Sequence, residues 1–200
     1  MNTLFVGIDP GKDGAICAVN QDRKIVLLCD IPTVGTSKSY DRPGMRAILI
    51  GLAAMAMNTS ICIEEPIFKP NKMMPHTCKQ CGDKQWAPKF DTPRTIASQW
   101  AGFVLWEGII VGLQHFLPSI SYTTVKPSVW HAELFGKSST TKQAKVDPKT
   151  LSYNHSTSQW PAEQWGGPRG GIRPDRHDAA CIADYHMRKL RAYRAEDSGL

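Results

Sequence analysis

The sequence predicts an α/β fold in which one mixed five-stranded sheet is flanked by helices. Short apolar runs rich in β-branched residues recur and are closed by turn formers. Between the later runs, apolar residues return at helical spacing. The resulting order is three strands, helix, strand, helix, strand, helix, which places helices on both faces of a single sheet. A chain of 200 residues, 42% hydrophobic and 21% charged, makes one domain over residues 1–200 and buries a core without help from disulfides.

Leu4 to Ile8 is the first strand, closed by Asp9-Pro10-Gly11, and Gly14 to Val19 restarts a second strand after that turn. Lys24 to Ile31 is the third. A polar connection from Pro32 to Ser39 leads into a helix from Asp41 to Met57. Ser60 to Glu64 reads as a fourth, buried strand. From Pro66 to Asp91 periodicity fails, and four prolines, repeated lysines and Cys78-Lys79-Gln80-Cys81-Gly82 mark an irregular basic insert within the domain, residues 66–91. A long helix from Thr92 to Phe116 follows, with Thr92 as its cap and Pro93 in its first turn. Ser119 to Val125 is the fifth strand, Pro127 to Leu134 a short helix, and Asp147 to Pro174 a loop rich in Gly, Pro and Ser. The last element is a helix from Asp175 to Ala195.

Charge and cysteines narrow the class. A net charge of +6 suits a polyanionic partner. The excess lies in the middle: residues 66–100 carry six basic against two acidic residues, whereas residues 1–65 carry six against seven. The apolar runs from Arg46 to Met57 and from Trp100 to Leu113 fall short of the ~18 residues of a membrane span. The opening Met-Asn-Thr-Leu-Phe-Val has no basic region followed by an apolar stretch and small-residue cleavage site, so the expected setting is cytoplasmic and reducing, with the six cysteines reduced or metal-bound.

The acids carry the chemistry. Asp9 ends the first strand, Glu64 and Glu65 end the fourth, and Asp175 and Asp178 lie three apart in the first turn of the last helix. If strands one and four are neighbours, these ends converge. Clustered carboxylates repel one another unless hard cations such as Mg²⁺ bridge them. Two such ions, roughly 3.5–4 Å apart, activate a water and stabilise the leaving oxygen of an in-line phosphodiester displacement. Each acid also has a plain reading: a turn at Asp9, helix capping at Asp175 and Asp178, a solvated strand end at Glu64-Glu65. Their joint placement is the specific signal.

Val6-Gly7-Ile8-Asp9-Pro10-Gly11, Ile63-Glu64-Glu65-Pro66-Ile67-Phe68 and Asp175-Arg176-His177-Asp178-Ala179-Ala180 resemble the three catalytic motifs of RuvC-type Holliday junction resolvases, which have a ribonuclease H-like fold. Val125 to Trp130, followed by Phe135-Gly136-Lys137, is similar to a connection in the phage and chloroplast branches. The resemblance spans most of the chain. It implies a Mg²⁺-dependent crossover junction endodeoxyribonuclease of DNA recombination and repair, acting as a homodimer that nicks two opposed strands of a four-way junction. That setting is a bacterial or phage-infected cell or another DNA-containing compartment. Asp9, Glu64, Asp175 and Asp178 would then hold two Mg²⁺ or Mn²⁺ ions, Glu64 being preferred to Glu65 because it directly follows Ile63. Lys126 and Lys142 match two lysines used near the scissile phosphate. Phe68 falls near an aromatic that wedges against bases, or is a core residue. Lys69, Lys72, Lys137 and Lys145 are phosphate contacts or solvated surface lysines.

Trp100, Phe103, Trp106, Ile110 and Leu113 give the long helix apolar residues well round its circumference, enough to face both the sheet and a partner helix. In the insert, Cys78 and Cys81 with His76 form half of a zinc knuckle. Asp83 or a cysteine pair from a second protomer would have to complete it, and reduced thiols in a DNA-contacting loop are the other reading. The loop with Trp160 and Trp165 is expected to order on DNA or to cover the site. His177, between two aspartates, is expected to point to another face, while His131, His155 and His186 are unassigned. Rival functions are an actin-like ATPase, for which the chain is too short, a same-fold nuclease acting on other branched DNA or RNA–DNA hybrids, and a junction-binding protein without cleavage.

Overall fold

The structure, a computed structural model, describes residues 2–36, 38–66, 73–77, 81–82, 84–88, 93–136, 146–166 and 173–197. Its central sheet comprises β1 (Thr3–Ile8), β2 (Ala15–Val19), β3 (Ile25–Asp30), β6 (Asn58–Glu64) and β9 (Ile120–Val125), in the order β3-β2-β1-β6-β9. Two short ribbons accompany it, β4 (Thr33–Val34) with β5 (Ser39–Tyr40) and β7 (Met73–Thr77) with β8 (Lys84–Pro88). The helices are α1 (Arg42–Met55), α2 (Pro93–Gln114), α3 (Pro127–Phe135), α4 (Pro148–Gln159) and α5 (Pro174–Asp197). β1 runs antiparallel to β2 and parallel to β6, and β6 runs parallel to β9. The sheet is therefore mixed, and the expected adjacency of the first and fourth long strands is present.

Alternation along the strands sorts side chains between two layers. Leu4, Val6 and Ile8 of β1 and Ile61 and Ile63 of β6 pack under α1 and α2 with Met45, Leu49, Phe103, Trp106 and Ile110. Complete burial of a side chain such as Ile110 contributes roughly 1.5–3 kcal/mol. The opposite face meets α5: Ala15, Cys17 and Val19 pack on Ala179, Ala180 and Ala183, and Cys62 on Cys181 and Ile182. Gly7 allows α5 to sit this close, because a Cβ there would penetrate the Ala179 carbonyl oxygen and the backbone of Ala183.

Three sequence expectations are corrected. The segment from Asp147 to Pro174 is not a loop throughout: α4 occupies its first part, capped by the Asp147 side chain, which accepts from the Thr150 N–H at 3.3 Å. Apolar periodicity misses this helix because the side chains it buries are Ser152 and Ser156. The insert is not irregular throughout either. β7 and β8 pair antiparallel, His76 opposite Gln85 and Pro75 opposite Trp86, as the tolerance of an isolated ribbon's edges for proline allows. Finally, Trp160 belongs to the core, its indole N–H donating to the Arg23 carbonyl at 2.6 Å, and Trp165 donates to the Trp160 carbonyl at 3.3 Å. The pair fastens the end of α4 to the β2–β3 turn, so this part of the expected loop is ordered without DNA, while residues 167–172 lie outside the described residues.

Candidate active site

Strand register brings the first two acids together. Gly7 pairs with Cys62 and Ile8 with Ile63, so the next pair in that register is Asp9 and Glu64. Both share the parity of the residues that face α5. Glu65 has the opposite parity, and its carboxylate accepts from the Thr124 hydroxyl at 2.6 Å. The preference for Glu64 thus follows from the two-residue period of a strand. The Asp9 loop is held from several directions. The Asp9 N–H donates to the Ala15 carbonyl at 3.0 Å, and a side-chain oxygen of Asp9 accepts from the Gly11 N–H at 3.3 Å. The Tyr40 hydroxyl donates to the Pro10 carbonyl at 3.2 Å, and Gly102 of α2 leaves room for that same carbonyl.

The first turn of α5 supplies Asp175 and Asp178. One ligand oxygen from each of Asp9, Asp175 and Asp178 lies within 4.8 Å of the others. Burial, then the charge of Asp175, pushes the Asp9 carboxyl up to about 7. Glu64 is raised well above the usual carboxylate range by burial and then by Asp9 and Asp178. Four acids held together at this cost need a counter-charge. Lys149 provides one: its ammonium donates to Asp175 at 2.6 Å and to Asp178 as well. Burial lowers the Lys149 pKa, but the Asp178 and Asp175 carboxylates outweigh it and the net shift is upward.

No protein-family model and no curated protein sequence matches the chain. The site must therefore be read from its own chemistry. An all-oxygen carboxylate set suits a hard divalent cation, and the three aspartates could hold a metal.

Lys149 is the functional residue that sequence reasoning missed. Asp147-Pro148 is an N-cap and first-turn signature of the kind read at Thr92-Pro93, and it would have placed Lys149 in the first turn of a helix. The lysine chosen by resemblance, Lys126, is exposed at the N-cap of α3. Lys142, Lys137, Lys145, Phe68, Lys69, Lys72, Cys78 and Asp83 lie outside the described residues. His76 is described only as backbone in β7, and Cys81 is an exposed free thiol in the turn that follows.

The histidines separate by environment. His177 is fully buried and faces α4, with Nδ1 at 2.6 Å from the Ser156 Oγ. His186 contacts Ser60 at 2.8 Å, and burial lowers it to about 4. His155 meets Asp184 at 3.0 Å in a network with Arg23 and Arg188. His131 on α3 lies near enough to the site for Asp178 to raise its pKa, although burial dominates and lowers it. On α2, Phe103, Trp106, Ile110 and Leu113 are core residues of one protomer.

Proposed function

We propose that the protein is a divalent-metal-dependent endodeoxyribonuclease that resolves four-way DNA junctions by paired nicks. The observation that carries this reading is the convergence of Asp9, Glu64, Asp175 and Asp178 at one end of the sheet. The strand order, with an antiparallel β1–β3 meander joined to parallel β6 and β9, supports a ribonuclease H-like fold, and the motif resemblance supports the substrate class. Asp9, Asp175, Asp178 and Glu64 would hold two Mg²⁺ or Mn²⁺ ions. Bound there, the ions supply an activated water and stabilisation of the leaving oxygen.

The chain's own groups do the rest. Raised carboxyls at Asp9 and Glu64 keep protons in the metal-free site and give them up on loading. Lys149 balances Asp175 and Asp178 and stands where a phosphate oxygen could meet a fixed cation.

Cleavage of two opposed strands requires two sites related by symmetry. The outward face of α2 supports a second copy as partner: Ala97, Ala101, Val104, Gly108 and Val111 are exposed at alternating spacings of four and three, none of them charged. Light scattering at micromolar concentration is expected to give a dimer, and a monomer with and without DNA would overturn that part of the proposal.

Incubation with a synthetic four-way junction, a linear duplex and an RNA–DNA hybrid, each with Mg²⁺ and with EDTA, tests the function. Symmetric paired nicks in the junction alone are expected, reduced at least ~10³-fold in Asp9→Asn and Asp178→Asn. Tight junction binding without cleavage under any divalent metal would instead favour an architectural role.

A further inference from the structure

α4 carries Lys149, and apart from Trp160 at its C-cap, which packs on Ala179, Ala180 and Ala183, and Tyr153 against the His177 ring, what attaches it to α5 is polar. Its polar contacts with α5 range from buried to exposed. Ser156 meets His177, the Ser152 carbonyl accepts from the Cys181 thiol at 3.7 Å, and His155 meets Asp184. Lys149, Ser152 and Ser156 fall three and four residues apart, on one face of α4.

The Ser156–His177 contact is the most constrained of these. The single hydroxyl proton of Ser156 is directed to the Ser152 carbonyl at 2.8 Å, with the Tyr153 carbonyl at 3.1 Å. With that proton on the Ser152 carbonyl, Ser156 accepts from His177 in the tautomer whose Nδ1 carries the proton, an assignment made from this network. That leaves Nε2 as a buried acceptor with no partner among the described residues. The imidazole lies flat on Trp165, centroids 4.5 Å apart and planes at 23°, while Tyr153 meets its edge at 5.0 Å. Its ring is thus locked, and it retains an orphaned nitrogen that a leucine of similar size would not carry. An orphaned buried acceptor costs the desolvation of that nitrogen with no bond in return. Packing alone gives no reason to keep it.

We infer that His177 is a positioning residue: through its Nδ1–H bond to Ser156 it sets the rotation of α4 and so holds the Lys149 ammonium on Asp175 and Asp178. The lever is steep. At the ~6 Å outer radius of a helix, a rotation of about 30° moves a side-chain tip by roughly 3 Å, enough to break both contacts of Lys149. The kinetic consequence rests on the nuclease reading, whereas the placement of Lys149 does not.

Two measurements on His177→Leu, His177→Asn and Ser156→Ala test this. The first is reductive methylation of Lys149 in metal-free protein, read by peptide mass spectrometry against exposed Lys24. The second is junction cleavage at saturating Mg²⁺. His177→Leu and Ser156→Ala are expected to make Lys149 several-fold more reactive and to lower kcat about tenfold with KM unchanged. His177→Asn, whose amide can still donate from the Nδ1 position, restores both. Adding His177→Leu to Lys149→Met causes no further loss of kcat, and His177→Leu melts no lower than wild type because the orphaned acceptor is gone. Unchanged Lys149 reactivity in both His177→Leu and Ser156→Ala overturns the inference, as does an Asn variant no better than Leu. If His177→Leu does not fold, Ser156→Ala decides; if the wild type cuts nothing, methylation decides alone.

Discussion

Asp9, pushed up to about 7, and Glu64, raised with it, make the metal-free site sensitive to pH in a definite direction. Unfolded carboxyls titrate near ~4. Between about pH 4 and pH 7 the folded chain therefore holds more protons at these groups than the unfolded one. Their contribution to stability is present at low pH and is lost as pH rises through that window. Asp9→Asn, which removes one of the repelling acids, is expected to stabilise the metal-free protein by about 1–2 kcal/mol at pH 8 and by little at pH 5. Thermal melts of both proteins in EDTA check this, and an equal gain at the two pH values would contradict it. Loading reverses the trend. Mg²⁺ should raise the wild-type melting temperature more at pH 8 than at pH 5.5, because protons compete for the same oxygens. Lys149→Met leaves Asp175 and Asp178 without their cation. It is expected to cost about 1–3 kcal/mol in EDTA, to regain much of that with Mg²⁺, and to lower kcat roughly 10²-fold.

The elements differ in how plainly the sequence announced them, and the reason is what each one buries. β1, β6 and α2 hide apolar residues, so an unbroken apolar run was visible in Ile61-Cys62-Ile63 and a helical spacing in Phe103, Trp106 and Ile110. The acids at the strand ends and helix start were legible because they interrupt such patterns. α4 buries serines, and no hydrophobic count could find it; with it went Lys149. The insert's ribbon was hidden by its prolines and lysines. Close approach between elements was equally invisible, since Gly7 looks like any turn glycine until α5 is seen against it. Gly7→Ala is expected to push α5 off β1, destabilising the fold by roughly 2–4 kcal/mol and weakening Mg²⁺ binding together with it, because Asp9 and Asp178 separate. Denaturant melts and metal titration should move in parallel. A loss of stability with unchanged metal affinity would show that the α5–β1 spacing does not set the site.

For the molecule as a whole, the +6 net charge conceals two opposed populations, four acids gathered at one end of the sheet and a basic excess in the middle of the sequence. Junction binding should weaken steeply between 50 and 200 mM salt, roughly 10³-fold or more if six or more phosphates are contacted. Lys149→Met should lower that slope by about 1 at most, the single phosphate contact proposed for its ammonium. Among the described residues no helix is long and apolar enough to cross a membrane. The site also draws its acids from segments far apart in the sequence: Asp9 follows β1, whereas Asp175 and Asp178 open α5. During synthesis the first strands, α1 and α2 can form before the α5 acids have left the ribosome, and until α5 docks on β1 there is no place for a cation to bind. A chain whose α5 has not yet docked consequently lacks the gathered carboxylates, and under the proposed function it could not cut DNA until that docking is complete.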